Sequence, residues 1–337
     1  MDLLKKLFLA GLLLLIVFFF VWAAYAPKKD MDREAAKTLE EQKDRLDLYF
    51  KGVTFQETQG AVKYWEIKAA SSSINKSTGV ASIEQADGTF FRDGKPVLKF
   101  ISPLVHWNMD RKEIALDDPI GYDLKAEPHI NELLKQAGSI STFILPARSD
   151  RNSEGFFFKA KQLSWKLKTE KLICVGGIYL KKGEMAGMAD KLESDVGLEK
   201  VNIFGSPCVI NLINASITSL EASNFLVDSV NDIISATGGI RLTADGFKLT
   251  ADNVEFRQRE DTLSFRPLVQ ISYLGTQAVS RLASYNIKSS EINMTDNARL
   301  VRGGSTLTGD SVKVSLKNKT FKVTGKTRIV IPDEEIK

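Results

Sequence analysis

The sequence predicts an all-β fold, a repetitive two-sheet β-jellyroll carried behind a single N-terminal transmembrane helix. Three observations predict it. Residues 7–25 form an unbroken apolar run, a small residue followed by two alternating apolar ones recurs along the rest of the chain, and polar turns separate short alternating strands throughout. Regular short strands with turn signals between them mean an all-β chain.

The bulk properties narrow the function classes. The 337 residues suffice for about two domains. With 43% hydrophobic and 26% charged residues, the composition is that of a folded protein and not of a disordered one. A formal net charge of +4, spread along the chain, gives no concentrated basic surface for a nucleic acid but suits scattered contacts to anionic headgroups. Cys174 and Cys208 are too few for a disulfide framework or a metal site and read as two separately buried thiols in preference to a pair. His106 and His129 lie far apart, and no nucleophile elbow, paired-histidine metal site or glycine-rich phosphate loop is present. Neither catalysis nor a cofactor is therefore expected.

The first element is the apolar run. Leu7 to Tyr25 spans roughly 28 Å as a helix, about one hydrocarbon core. Lys5 and Lys6 precede it and Trp22 and Tyr25 lie at its far end, so residues 1–6 read as a cytoplasmic tail and 7–26 as a retained anchor. The run is too long for a signal-peptide core, and Pro27 directly follows the only small-residue cleavage pattern. Residues 27–49 alternate both charge signs with Ala35, Leu39 and Leu46 at helical spacing, which predicts a solvated helical spacer without coiled-coil heptads.

The repeat comes next. A small residue, two spacers, an apolar residue, a spacer and another apolar residue recur at Ala69, Ser102, Ala160, Ala189, Ala222, Ala251, Ser289 and Gly309. In Trp65-x-Ile67-x-Ala69 the apolar positions are odd, while Ser72 and Ile74 past the anchor are even. A parity shift of one residue turns side chains to the other face unless the strand kinks there. Each anchor therefore marks a corner between two facing sheets. Breaks such as Gly176-Gly177, Gly205-Ser206-Pro207 and Gly238-Gly239 are expected at the opposite corner. Residues 125–138 interrupt the pattern, with Pro128 near the start, Ile130, Leu133 and Leu134 at helical spacing and Gly138 as a stop, and predict a short helical insertion.

These features, in this order, resemble the LptC family of lipopolysaccharide-export proteins. The residues carrying the resemblance are the Val53-x-Phe55 strand, the Trp65-Glu66-Ile67-Lys68-Ala69 strand and the Asp93-Gly94-Lys95 hairpin before Leu98–Pro103. The later repeats, Thr218–Tyr273 and Ser305–Ile331, look like the OstA/LptA-type jellyroll unit. The expected division is an LptC-like jellyroll over 50–212 and an OstA/LptA-like jellyroll over 213–333. The resemblance implies an inner-membrane, single-pass protein with its bulk in the periplasm. It would receive lipopolysaccharide from an inner-membrane ABC transporter and pass it towards a periplasmic LptA-like bridge protein.

Acyl chains need a dry apolar slot, and the inward set of the alternating strands offers one. The candidate lipid-binding residues are Phe55, Trp65, Ile67, Ile74, Leu98, Phe100, Val105, Trp107, Phe158, Leu163, Trp165, Leu167 and Leu172. The same pattern fits a filled sandwich core, and both readings stand at this level, as does a membrane-anchored structural or adhesive protein of the envelope. Lys63, Arg92, Lys99 and Arg111 read as solvated face residues. The candidate docking edges are Val53, Thr54 and Phe55 at the membrane-proximal end and Ile329, Val330 and Ile331 at the other, where edge strands accept a partner strand by β-augmentation.

Overall fold

A computed structural model describes residues 48–131, 155–182, 185–212, 217–244 and 246–331, together with Leu15 and Phe18. Apart from Leu15 and Phe18, the expected anchor lies outside the described residues, as does most of the expected spacer. Among the described residues no helix is long and apolar enough to cross a membrane. Leu48 and Tyr49, the last two residues of the expected spacer, are strand, because each pairs across to the next strand at Ile74 and Ser73.

The strands run as β1 (Leu48–Gln59), β2 (Val62–Asn75), β3 (Val80–Arg92), β4 (Lys95–Asn108), β5 (Glu113–Asp117) and β6 (Ile120–Asp123). A 3-10 turn, Glu127–His129, lies within the expected helical insertion, whose second half, 132–138, lies outside the described residues, and another, Gln258–Glu260, lies in the second half of the chain. Then come β7 (Phe156–Lys159), β8 (Gln162–Lys166), β9 (Lys171–Lys182), β10 (Met185–Asp195) and β11 (Lys200–Leu212). The second half holds β12 (Ile217–Asp228), β13 (Ile233–Ala244), β14 (Phe247–Arg257), β15 (Thr262–Arg266), β16 (Val269–Tyr273) and β17 (Thr276–Ser280). It ends with β18 (Leu282–Asn286), β19 (Glu291–Arg302), β20 (Ser305–Ser315), β21 (Thr320–Thr324) and β22 (Arg328–Val330). The 22 strands of the described residues belong to one antiparallel sheet. The ladder runs on through the expected division near residue 212, since β11 and β12 pair from Lys200↔Asp228 to Ile210↔Leu220.

One line of bends crosses this sheet, built in two alternating ways. On every other strand the backbone passes through the left-handed region, at Gly52, Gln85, Asp118, Gly176, Gly238, Leu268, Asp296 and Gly325. Between them sit the small residues Ala69, Ser102, Ala160, Ala189, Ala222, Ala251, Ser280 and Gly309. The pairing registers skip at these places, for example between Glu221 and Asn224 and between Thr295 and Ala298. Each bend is thus a bulge in which two strands turn together. The glycine breaks and the small residues share this line: Lys161 N–H bonds the Gly176 carbonyl at 3.0 Å, and Ser223 Oγ bonds the Gly238 carbonyl at 2.9 Å. The expectation of a second, opposite corner is corrected accordingly.

A second correction concerns one anchor. Ser289 lies in the turn before β19, and the small residue at the bend is Ser280, which is buried and bonds the Leu282 carbonyl at 2.8 Å. The Ser-x-x-Ile-x-Met pattern at 289–294 imitates the anchor motif because a turn residue precedes a strand of the same parity.

Folding along one line brings the two halves of the sheet face to face. Trp65, before the bend of β2, stacks edge-on to Trp107, after the bend of β4, at 5.0 Å. Phe90 meets Trp165 at 5.5 Å, Phe247 meets Tyr285 at 5.7 Å, and Tyr273 meets Phe321 at 6.0 Å, each pair crossing between halves. Opposite the bend, the described residues form two rows of turns. One row lies at 76–79, 109–112, 167–170, 196–199, 229–232, 258–261, 287–290 and 316–319. The other joins the far strand ends, as at 60–61, 93–94, 274–275 and 303–304. Between these rows runs a seam that no backbone ladder closes.

Candidate functional site: the interior and its seam

Cross-strand pairing lines up the inward side chains into rows that run the length of the molecule. Nearest the seam in one half is Ile74–Ala81–Trp107–Ile114–Trp165–Leu172, continued through Val201, Val227, Ile234, Phe256, Leu263, Tyr285, Ile292 and Val314. In the facing half the row is Phe55–Ile67–Gly88–Phe100–Gly121–Phe158–Leu180, ending at Leu300, Leu307 and Ile329. Here glycines alternate with phenylalanines for a steric reason. A Cβ on Gly88 would stand 2.1 Å from the Phe100 ring, and one on Gly121 2.2 Å from the Phe158 ring.

The candidate lipid residues fall into two groups. Trp65, Ile67, Leu98, Phe100, Val105, Phe158, Leu163, Trp165 and Leu172 are buried, while Phe55, Ile74, Trp107 and Leu167 are partly exposed and pack against the same cluster. That cluster is continuous from Trp65 to Val314, and a smaller separate one gathers Tyr122, Ala126, Phe157, Tyr179 and Ala186. The inward rows therefore form one apolar interior across both expected modules. Sequence reasoning confined the set to the first half. Phe225, Phe247, Phe265 and Tyr285 continue it in the second, and the same parity rule would have found them. Cys174 lies in the interior as a free thiol, and burial pushes its pKa well above the ordinary cysteine range.

The seam is held by side chains reaching from one turn row to the other. Lys112 Nζ donates to buried Glu57 at 3.0 Å. Arg92 pairs with Asp195 through one guanidinium nitrogen and with Glu199 at 2.6 Å through the other. Gly197 lies under that guanidinium, where a Cβ would come within 2.6 Å of it. Lys182 donates to Ser229 Oγ at 2.8 Å, and burial lowers its pKa from the ordinary lysine value despite nearby Asp232. Gln258 Nε2 reaches Met185 Sδ at 3.5 Å, and Tyr273 Oη donates to the Leu316 carbonyl at 3.1 Å. Arg92, read from sequence as a solvated face residue, is thus a seam residue. Lys99 pairs with Glu127, and Lys63 with Glu66 at 2.6 Å.

Both ends of the sheet are unpaired among the described residues. β1 pairs only with β2, so Val53, Thr54 and Phe55 lie on one edge, and β22 pairs only with β20, which puts Ile329 and Val330 on the other. Ile331 falls one residue past the strand. Ile329 and Val330 are 62% and 51% exposed, so this edge is apolar as well as open.

Residues 219–320 match the family model described as LptA/(LptD N-terminal domain) LPS transport protein. A solved structure with some likeness is LptH of Pseudomonas aeruginosa, described as the LptA homologous periplasmic component of the conserved lipopolysaccharide transport device. The identity is 14%, the TM-score 0.32, and the alignment covers 34% of this chain and 93% of that one. No curated protein matches the chain. The family-model match thus runs from β12 to the start of β21.

Proposed function

We propose that the chain is a lipopolysaccharide-transfer protein of the cell envelope, holding acyl chains between the two halves of its folded sheet. The observation that carries this reading is the single apolar interior, bounded on one side by a bend and on the other by a seam without backbone bonds. The family match over residues 219–320 supports the choice of lipopolysaccharide as cargo. Membrane anchoring through residues 7–26, receipt from an inner-membrane ABC transporter and handover to a periplasmic LptA-like protein complete the proposal. The β1 edge would face the transporter and the β22 edge the next bridge segment.

The mechanism follows from where the structure is weak. Among the described residues, opening the seam leaves the strand ladders intact and parts side-chain contacts, the seam pairs named above and the ring packing between the halves. Partly exposed ion pairs contribute about 0–1 kcal/mol each, because water solvates the separated charges well. An acyl chain entering the opened slot restores the burial that parted side chains lose, at ~25 cal/mol per Å² of apolar surface. Arg92→Gln, which removes two such pairs, is therefore expected to change global stability by less than about 2 kcal/mol. It should speed both lipopolysaccharide loading and amide exchange at turns 93–94 and 196–199. Unchanged loading and exchange would exclude a gating role for this contact, and no loading of either protein would contradict the transfer reading.

The close packing of the interior favours a second reading, a structural or adhesive envelope protein whose inward residues are core alone. In that case the seam stays shut and no lipid enters.

A further inference from the structure

The interior is apolar by composition but not wholly so in its donors. Among the described residues, three buried side-chain groups on the inner wall of the first half have no hydrogen-bond partner: Ser72 Oγ on β2, Trp107 Nε1 on β4 and Trp165 Nε1 on β8. Ser72 is 4% exposed and Trp165 2%. Buried donors left unpaired cost about 1–3 kcal/mol each, so native proteins rarely keep them without use. The rings of Trp65 and Phe55 stand beside Trp107, and those of Phe90 and Tyr64 beside Trp165, and a ring contact is a second-order substitute for a hydrogen bond to oxygen.

The three share one wall. Register connects Ile74 through Ala81 to Trp107, and Trp107 through Ile114 to Trp165, with Ser72 two residues from Ile74 on the same face of β2. The strands that carry the donors therefore stand two apart, a backbone spacing of roughly 10 Å from one to the next. We propose that these donors receive the carbonyl oxygens of ester- or amide-linked acyl chains, so that the slot selects a multiply acylated lipid over plain hydrocarbon. An indole N–H and a serine hydroxyl are neutral donors, matched to a neutral carbonyl. A buried carboxylate would instead need a cation, and Lys112, the seam-side ammonium nearest Glu57, is already paired. One carbonyl cannot bridge 10 Å, which is why the wall suits several acyl linkages on one ligand.

This inference rests on the transfer reading above, and the test separates the two. The full chain would carry benzothienylalanine, an indole isostere without the N–H, at Trp107 and Trp165, with Trp107→Phe and Trp165→Phe as a parallel pair. Lipopolysaccharide with isotope-labelled ester carbonyls is the probe, read by affinity and by the infrared carbonyl band. Wild type should show a hydrogen-bonded carbonyl component that shrinks in the isostere, where only the Ser72 hydroxyl remains, with affinity falling roughly tenfold in the isostere. Equal affinity and an identical carbonyl band in both proteins would overturn the donor assignment and leave the transfer reading standing. Absence of binding to wild type would overturn both.

Discussion

Replacing Gly121 with alanine is expected to destabilise the protein by about 3 kcal/mol, far more than one methyl group ordinarily costs. Gly121 pairs with Phe100 on one side and Phe158 on the other, and the Phe158 ring occupies the space a Cβ would take. The ring cannot retreat, because Phe158 is fully buried and packs against Phe156 at 6.2 Å. The same arrangement holds at Gly88 beneath Phe100. Chemical denaturation would measure the loss. Phe158→Leu in the Gly121→Ala background should recover part of it, since contacting residues couple when each relieves the other's clash. A cost below about 0.5 kcal/mol for the alanine alone would show that the rows are looser than their register implies.

Proline at the C-terminal edge is expected to abolish end-on capture of a partner strand. Two separate variants are needed, Ile329→Pro and Val330→Pro, because successive N–H groups of an edge strand point alternately inward and outward. The variant that removes an outward donor should lose capture while keeping its melting temperature. The other should weaken the pairing of β22 with β20, which runs from Thr306↔Val330 to Thr308↔Arg328. Capture measured against a purified LptA-type jellyroll reports the outcome. Unchanged capture by both variants would refute docking through this edge.

Much of the architecture was legible because the repeat writes the same geometry many times. Parity switching around Ala69, and the recurrence of small residues at Ser102, Ala160, Ala189, Ala222 and Ala251, follow from sterics at a bend that every strand must make. What stayed hidden is the alternate form of that bend. Gln85, Asp118, Leu268 and Asp296 adopt positive φ without being glycine, so residue type gives no signal there. The two forms consequently looked like two corners when they are one. The seam contacts were hidden for another reason: Arg92 meets residues more than 100 positions away, and only register and twist decide which turn faces it. The inward residues were readable from alternation alone. The missing hydrogen-bond partners of Trp107 and Trp165 were not, since they depend on what the opposite wall presents.

The central claim is that lipid passes between the two halves of the folded sheet along both modules. Site-specific photocrosslinking in cells exporting lipopolysaccharide tests it most directly, with the probe at inward Phe100 and Phe265 and at the outward neighbours Lys99 and Ser264. The account predicts lipopolysaccharide adducts at both inward positions, dependent on ATP, and none at the outward pair. Equal labelling of inward and outward positions, or no adduct at either inward site during active export, would contradict it.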